Sequence, residues 1–260
     1  MCLSTSWANC SLLANASLES VHVARDHAVF APESYVPANI AGWANTQAVI
    51  LIGPRIGAKF AEYFVSMSAG ATSALPPNGT SRFVYVLDGT VTFTCADKTY
   101  TLQTGGYAYV PPDLPHQIGT STQARIVVVE KPYVATPYAD KPSTLLVGRE
   151  QELSTQLVAG DPDVQVKNLL PDALGFDMAM NIMAFQPGAV LSLVEVHVME
   201  HGLLMIDGNL LYRLNEQYYP VQTGDAIYIA PFCPQWCTAF GRQTARYLLY
   251  KDWNRDPFGY

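Results

Sequence analysis

Gly224-Asp-Ala-Ile-Tyr-Ile-Ala-Pro-Phe-Cys-Pro234 and, 119 residues earlier, Gly105-Gly-Tyr-Ala-Tyr-Val-Pro-Pro-Asp-Leu-Pro115 share one layout. Each opens on glycine, runs through a short apolar stretch with tyrosine at its fifth position, and closes with prolines three residues apart, Pro112 and Pro115 in one and Pro231 and Pro234 in the other. Gly89 and Gly208 stand at the same offset. Five identities at a single spacing, with glycine and proline bracketing the strands, indicate an internal duplication of one small β domain. Outward from these stretches lie further alternating or β-branched runs, among them Phe83-Val-Tyr-Val-Leu87, Thr90-Val-Thr-Phe-Thr94, Leu211-Tyr-Arg-Leu214 and Tyr247-Leu-Leu-Tyr250. Many short strands between turn residues predict an all-β chain, a sandwich or barrel in each half. Helical periodicity is scarce, and the best helix candidate is short, around Arg149–Gln156. The linker is expected near Thr136–Ser154, where Pro137, Asp140, Lys141 and Pro142 interrupt the strands. The expected organisation is a disordered N-terminal extension over 1–20, one barrel over 21–140 and a second over 141–260.

The 260 residues are 49% hydrophobic and only 14% charged, which argues for a buried core and against disorder. A net charge of −7 without a basic run argues against a nucleic-acid partner. A small anionic substrate stays open, since one local Lys or Arg can hold a carboxylate. Five scattered cysteines with no CxxC pair indicate neither a disulfide framework nor a zinc knuckle. No apolar stretch is long enough to span a membrane. Residues 1–20 lack the basic and apolar regions of a secretory signal, so a cytoplasmic location is expected.

The chemistry concentrates in Glu195-Val-His197-Val-Met-Glu-His201, followed six residues later by Gly208. Residues i and i+2 of a strand share a face, so Glu195 and His197 project together. His201 joins them if the strand continues or bends. Gln235, after the Pro231 turn, adds an amide. One carboxylate, two imidazoles and one amide oxygen suit Mn²⁺, Fe²⁺, Zn²⁺ or Ni²⁺ and lack the thiolates of structural zinc. At the 119-residue offset these four positions read Pro76, Asn78, Arg82 and His116. The first copy therefore reads as metal-free, with Arg82 plugging it as a paired charge.

This spacing resembles the cupin family, whose first motif has the form G-x5-H-x-H-x3–4-E-x6-G and whose second has the form G-x5-P-x-G-x2-H. The fold implied is two tandem cupin barrels of jelly-roll type. Here the Glu comes first, Gly188 lies one residue further upstream, and Gln235 replaces the last His one residue nearer the proline. These departures resemble the (S)-ureidoglycine aminohydrolase family of two-domain cupins, its plant members most. Phe185-Gln-Pro-Gly188, Tyr219-Pro-Val-Gln222, Pro234-Gln-Trp236 and Arg246-Tyr-Leu-Leu-Tyr-Lys-Asp252 carry the likeness further. The resemblance implies one Mn²⁺ per chain on Glu195, His197, His201 and Gln235. It implies that Tyr247, Lys251, Glu195 and Gln235 contact a small-molecule substrate, with Glu195, Tyr247 and Lys251 in catalytic roles. It implies hydrolysis of a carbon–nitrogen bond with ammonia release in allantoin breakdown, and a homo-oligomer. The plant relatives point to the endoplasmic reticulum as the alternative compartment.

Two other classes compete. A metal-dependent dioxygenase would use the same ligands but consume O₂, and a non-enzymatic bicupin would lack stoichiometric metal. Several residues take ordinary readings. His22, His27 and His116 are packed or solvent-facing, Glu200 faces away from Glu195 and His197, Tyr212 and Trp236 line the barrel, and Cys233 and Cys237 are small loop and strand residues.

Overall fold

The computed structural model describes residues 21–139 and 142–255. The extension over 1–20 and the linker residues Asp140 and Lys141 lie outside them. Among the described residues the strands are, in order, β1 (Val21–Val23), β2 (His27–Phe30), β3 (Ala44–Ile52), β4 (Ala61–Thr72), β5 (Thr80–Cys95), β6 (Lys98–Gln103), β7 (Gly106–Val110), β8 (His116–Thr120) and β9 (Ala124–Pro132). After the linker come β10 (Leu146–Arg149), β11 (Gln156–Val158), β12 (Asp161–Asn168), β13 (Met178–Phe185), β14 (His201–Asp207), β15 (Asn209–Leu214), β16 (Gln217–Gln222), β17 (Ala226–Ile229), β18 (Gln235–Ala239) and β19 (Ala245–Asp252). The chain is all-β with barrel-like sheets. No helix among the described residues is long and apolar enough to cross a membrane.

The helix expected over Arg149–Gln156 is absent. Leu146–Arg149 is a strand and only Glu150–Glu152 makes a 3-10 turn. Glu150 is buried there, accepting hydrogen bonds from Tyr85 and Arg246 on different strands, and these tertiary bonds override local helix propensity.

In the second half the three-stranded sheet β16-β15-β18 faces an eight-stranded sheet of order β1-β2-β17-β14-β19-β13-β12-β11. Phe185, Leu203, Met205, Tyr212 and Leu249 fill the space between them. In the first half the 16-residue β5 runs through both layers. Its start pairs with β7 and β9, and its end pairs with β6 and β8. The register slips between Val86 and Asp88 against β9, and between Met205 and Asp207 against β19. These irregularities stand at the repeat offset. Gly89 and Gly208 follow them with φ of +82° and +72°, and a Cβ would lie 2.5 Å from the Gln123 carbonyl or 2.7 Å from Ala245 Cα. Glycine at this pair is thus required twice over, by conformation and by space.

A separate apolar core, with Phe60, Phe83, Tyr109, Met180, Tyr228 and Tyr250, lies between the halves. β7 and β17 are accordingly buried on both faces, which explains their uninterrupted apolar sequence. The halves also exchange edge strands. The β1–β2 hairpin pairs with β17 of the second half, and β10 pairs with β7 of the first. A buried ion pair, Lys131 Nζ to Asp177 Oδ2 at 2.5 Å, ties them again.

Candidate metal centre

Glu195, His197, His201, Gln235, Tyr247 and Lys251 all line one cavity of about 220 Å³ inside the second half. Glu195 does not sit on a long strand. It forms an isolated bridge with Gln235, through Glu195 N to Gln235 O at 2.8 Å and Gln235 N to Glu195 O at 2.9 Å. The chain bends at Val198–Met199, and β14 begins at His201. The bend returns His201 to the side of Glu195 and His197, and the two imidazole rings stack at 5.3 Å between centroids. Phe232 has φ of +64°, and its N–H donates to the His197 carbonyl at 2.6 Å. A bulky residue in the left-handed region is held there by this bond, which ties the loop before Gln235 to the segment carrying His197.

The side chains bring together the donor types a divalent cation takes, although Glu195, His197 and His201 are not among the described groups whose donor atoms all lie within 4.8 Å of one another. His197 Nε2 lies 3.0 Å from Glu195 Oε2. His201 Nδ1 donates to the Met199 carbonyl at 3.1 Å, which leaves Nε2 unprotonated toward the cavity. Burial, then Lys251 and His197, push the His201 imidazole down to about 3, so it is the neutral donor a metal needs. Gln235 presents its Nε2 3.5 Å from His201 Nε2, while its Oε1 accepts from the Tyr212 hydroxyl at 2.9 Å. Half a turn of this amide brings the oxygen to the other donors and offers Nε2 to the Tyr212 oxygen. Lys251 stands opposite His201 across the β14–β19 ladder. Burial lowers its pKa and Glu195 opposes that shift. Burial holds Tyr247 and Tyr212 protonated as donors.

Tyr212 therefore does more than line the core, since it anchors Gln235. Asn168 and Asn181 line the cavity too, and the sequence reading did not single them out. The signal for Asn181 is a polar residue in phase with Met183 and Phe185 within Met178–Phe185. Glu200 does point away, accepting from the Lys59 N–H at 3.1 Å, and burial raises its carboxyl to about 7. Trp236 is half-buried and donates to the Leu191 carbonyl. Cys233 and Cys237 are buried and free.

In the first half Arg82 is buried and paired with Glu130 at 2.6 Å, as a plug would be. The tightest grouping of potential donors among the described residues is elsewhere: Asp26, His27 and Cys233, each offering one atom within 4.8 Å of the others. Both His27 nitrogens are engaged, one with Asp26 and one with the Tyr219 hydroxyl, each at 2.8 Å. Burial raises the Cys233 thiol to about 12, so it is no thiolate. That cluster is a clamp, holding the β1–β2 hairpin against the 230–234 loop through the Ala230 N–H to Asp26 O bond. Larger clefts, such as one of about 890 Å³ lined by Lys59, Lys131 and Arg255, gather none of the predicted residues.

Residues 63–130 match the family model of the cupin domain. A rice (Oryza sativa subsp. japonica) protein named "Probable (S)-ureidoglycine aminohydrolase" is 41% identical over 234 residues, covering 90% of this chain and 75% of its own. The Arabidopsis thaliana (S)-ureidoglycine aminohydrolase is 38% identical over 90% of this chain and 78% of its own. Among solved structures, protein Ylba from E. coli superposes with a TM-score of 0.81 at 30% identity, covering 92% of this chain and 96% of that one.

Proposed function

We propose, on the premise that the chain belongs to the (S)-ureidoglycine aminohydrolase family of cupin enzymes, that it converts (S)-ureidoglycine to (S)-ureidoglycolate and ammonia with one Mn²⁺ per chain. It is a hydrolase of a carbon–nitrogen bond in purine catabolism. The observation that carries the finer reading is the convergence of Glu195, His197, His201, Gln235, Tyr247 and Lys251 on one small cavity.

Glu195, His197, His201 and Gln235 would hold the cation. A bound divalent ion supplies Lewis acidity, orienting a small anionic substrate and making water more acidic. In the reaction the bond from the central carbon to the amine breaks, a bond to the water oxygen forms, and the proton from water leaves with the amine. Lys251, on the wall of that cavity, would bind the substrate carboxylate. Its lowered pKa also lets it give and regain a proton at Nζ. Tyr247, kept protonated by burial, donates a hydrogen bond from the same wall. The apolar wall of Met183, Leu191 and Leu249 excludes bulk water. The chain is further proposed to act as a homo-oligomer, supported by the exposed Leu193 and Val196 flanking Glu195.

The test is an assay on freshly generated ureidoglycine with Mn²⁺, following ammonia, O₂ and product handedness. Ammonia release without O₂ uptake, yielding the (S) product, is expected. O₂ consumption in step with turnover would overturn the hydrolytic reading.

A further inference from the structure

Residues of β13 divide by parity. Met178, Met180 and Ile182 enter the core between the halves, while Met183 and Phe185 enter the core of the second half. Asn181 is in phase with the latter and is 5% exposed. It pairs with Asn168 on one side and with Leu249 on the other. That register makes it the diagonal neighbour of both Tyr247 and Lys251, and all five residues line the same cavity. In the row that runs directly across the sheet from it, Leu249 and then Leu203 are apolar.

A buried amide in such a row is unfavourable unless its polar atoms are satisfied. Asn181 satisfies only one of its two. Its Nδ2 donates to Asn168 Oδ1 at 2.7 Å, and Asn168 Nδ2 donates to Gln156 Oε1 at 3.4 Å. Its Oδ1 is buried without a partner. Glu62, Asp177, Asp225 and Tyr250 also carry an unpartnered buried atom, and none of them lines this cavity.

We propose that Asn181 recognises the carbamoyl end of the substrate, its Oδ1 accepting a hydrogen bond from a ureido N–H while Asn168 holds the side chain from behind. This rests on the ureidoglycine reading above. The cation donors and Lys251 then face the carboxylate and amine of the central carbon, and Asn181, one strand over from Lys251, faces its ureido group. The ureido group is unchanged between substrate and product. Its recognition therefore binds ground state and transition state alike, and shows in KM rather than kcat.

The probes are N-carbamoylglycine, which is the substrate without its amine, and N-acetylglycine, in which a methyl replaces the terminal NH₂. Both are measured as competitive inhibitors of ammonia release by the Mn²⁺-loaded full chain. The wild type is expected to prefer the carbamoyl compound by about 10- to 100-fold, since the acetyl compound lacks the NH₂ donor. Asn181→Leu, close in volume, is expected to bring that ratio near one and raise KM for ureidoglycine with kcat little changed. A ratio kept at the wild-type value in Asn181→Leu overturns the proposal. Should that variant fail to fold, Asn168→Ala, an exposed position, decides. A partial fall of the ratio supports the role, and an unchanged ratio overturns it. A wild type that releases no ammonia sinks the functional reading itself, and this proposal with it. A wild type that turns over but ignores the NH₂-to-methyl change sinks only the proposal.

Discussion

Arg82 Nη1 lies 2.9 Å from His116 Nε2 in the first half, and the residues 119 positions later, His201 and Gln235, face each other at 3.5 Å in the second. The strand register repeats as well. Arg82 stands opposite Val110, and His201 opposite Ile229, the same offset again. On the other flank Arg82 faces Glu130, where His201 faces Lys251. One lattice thus carries a donor pair in one copy and a charge-compensated plug in the other.

The plug makes a stability prediction. Arg82→Ala leaves Glu130 half-buried without its partner and removes the bond to the Ala74 carbonyl. Breaking a buried pair from one side costs about 3–5 kcal/mol. Denaturant unfolding should show that loss in Arg82→Ala. Metal content of whatever fraction folds should be unchanged. A loss below about 1 kcal/mol, the range of a surface pair, would rule the plug out.

Metal retention should depend on two layers of residues. His197→Ala is expected to lose stoichiometric Mn²⁺ by elemental analysis and to lose ammonia release with it. Tyr212→Phe keeps the ring but not the hydrogen bond to Gln235. It should weaken metal affinity or activity by about 10- to 100-fold, as outer-shell partners do. A Tyr212→Phe protein equal to wild type in both would show that Gln235 needs no anchor.

Lys251 is separable from the metal. Lys251→Met should hold its cation and its fold, yet lose about 10²-fold or more in kcat/KM, the range for a proton-transferring group. Parallel measurement of metal content and turnover distinguishes this from ligand loss. Metal loss equal to the activity loss would place Lys251 in site assembly instead.

Glu62 sets a pH dependence of stability. Burial raises its carboxyl to about 8, and its Oε2 has no partner. The native chain keeps a proton there that the unfolded chain releases near 4.5. The stability this gives is complete below that value and is lost as pH rises through about 8. Glu62→Gln has no charge to bury, so it should exceed wild type by roughly 1–3 kcal/mol at about pH 9 and converge with it near pH 5. Glu200, raised to about 7, slopes the same way and should leave the variant with a residual pH dependence. A Gln advantage equal at both pH values would show that Glu62 is not protonated in the native state.

The all-β class and the donors Glu195, His197, His201 and Gln235 were legible from local chemistry, while Tyr247 and Lys251 came from the family resemblance. Glycine at 89 and 208 answers a positive φ and a crowded carbonyl, and the alternating runs answer a two-faced sheet. Long-range partnership was not legible. Nothing in His27–Phe30 or Leu146–Arg149 says which half each will pair with. Arg149 is extended rather than helical because Glu150 next to it serves Tyr85 and Arg246. Tyr212 as an anchor emerges only once β15 and β18 are in register, and Asn181 only once β13 lies beside β19.

The exchanged edge strands bear on how such a gene could change. A copy stripped of its ligands is usually free to be deleted. Here, removal of everything before the linker would strip β17 of the hairpin bonded to it along Ala226–Ile229 and lay Tyr228 and Tyr250 open to water. The half that kept the donors is thereby bound to inherit the half that lost them, and the shortest viable descendant of this chain still has both.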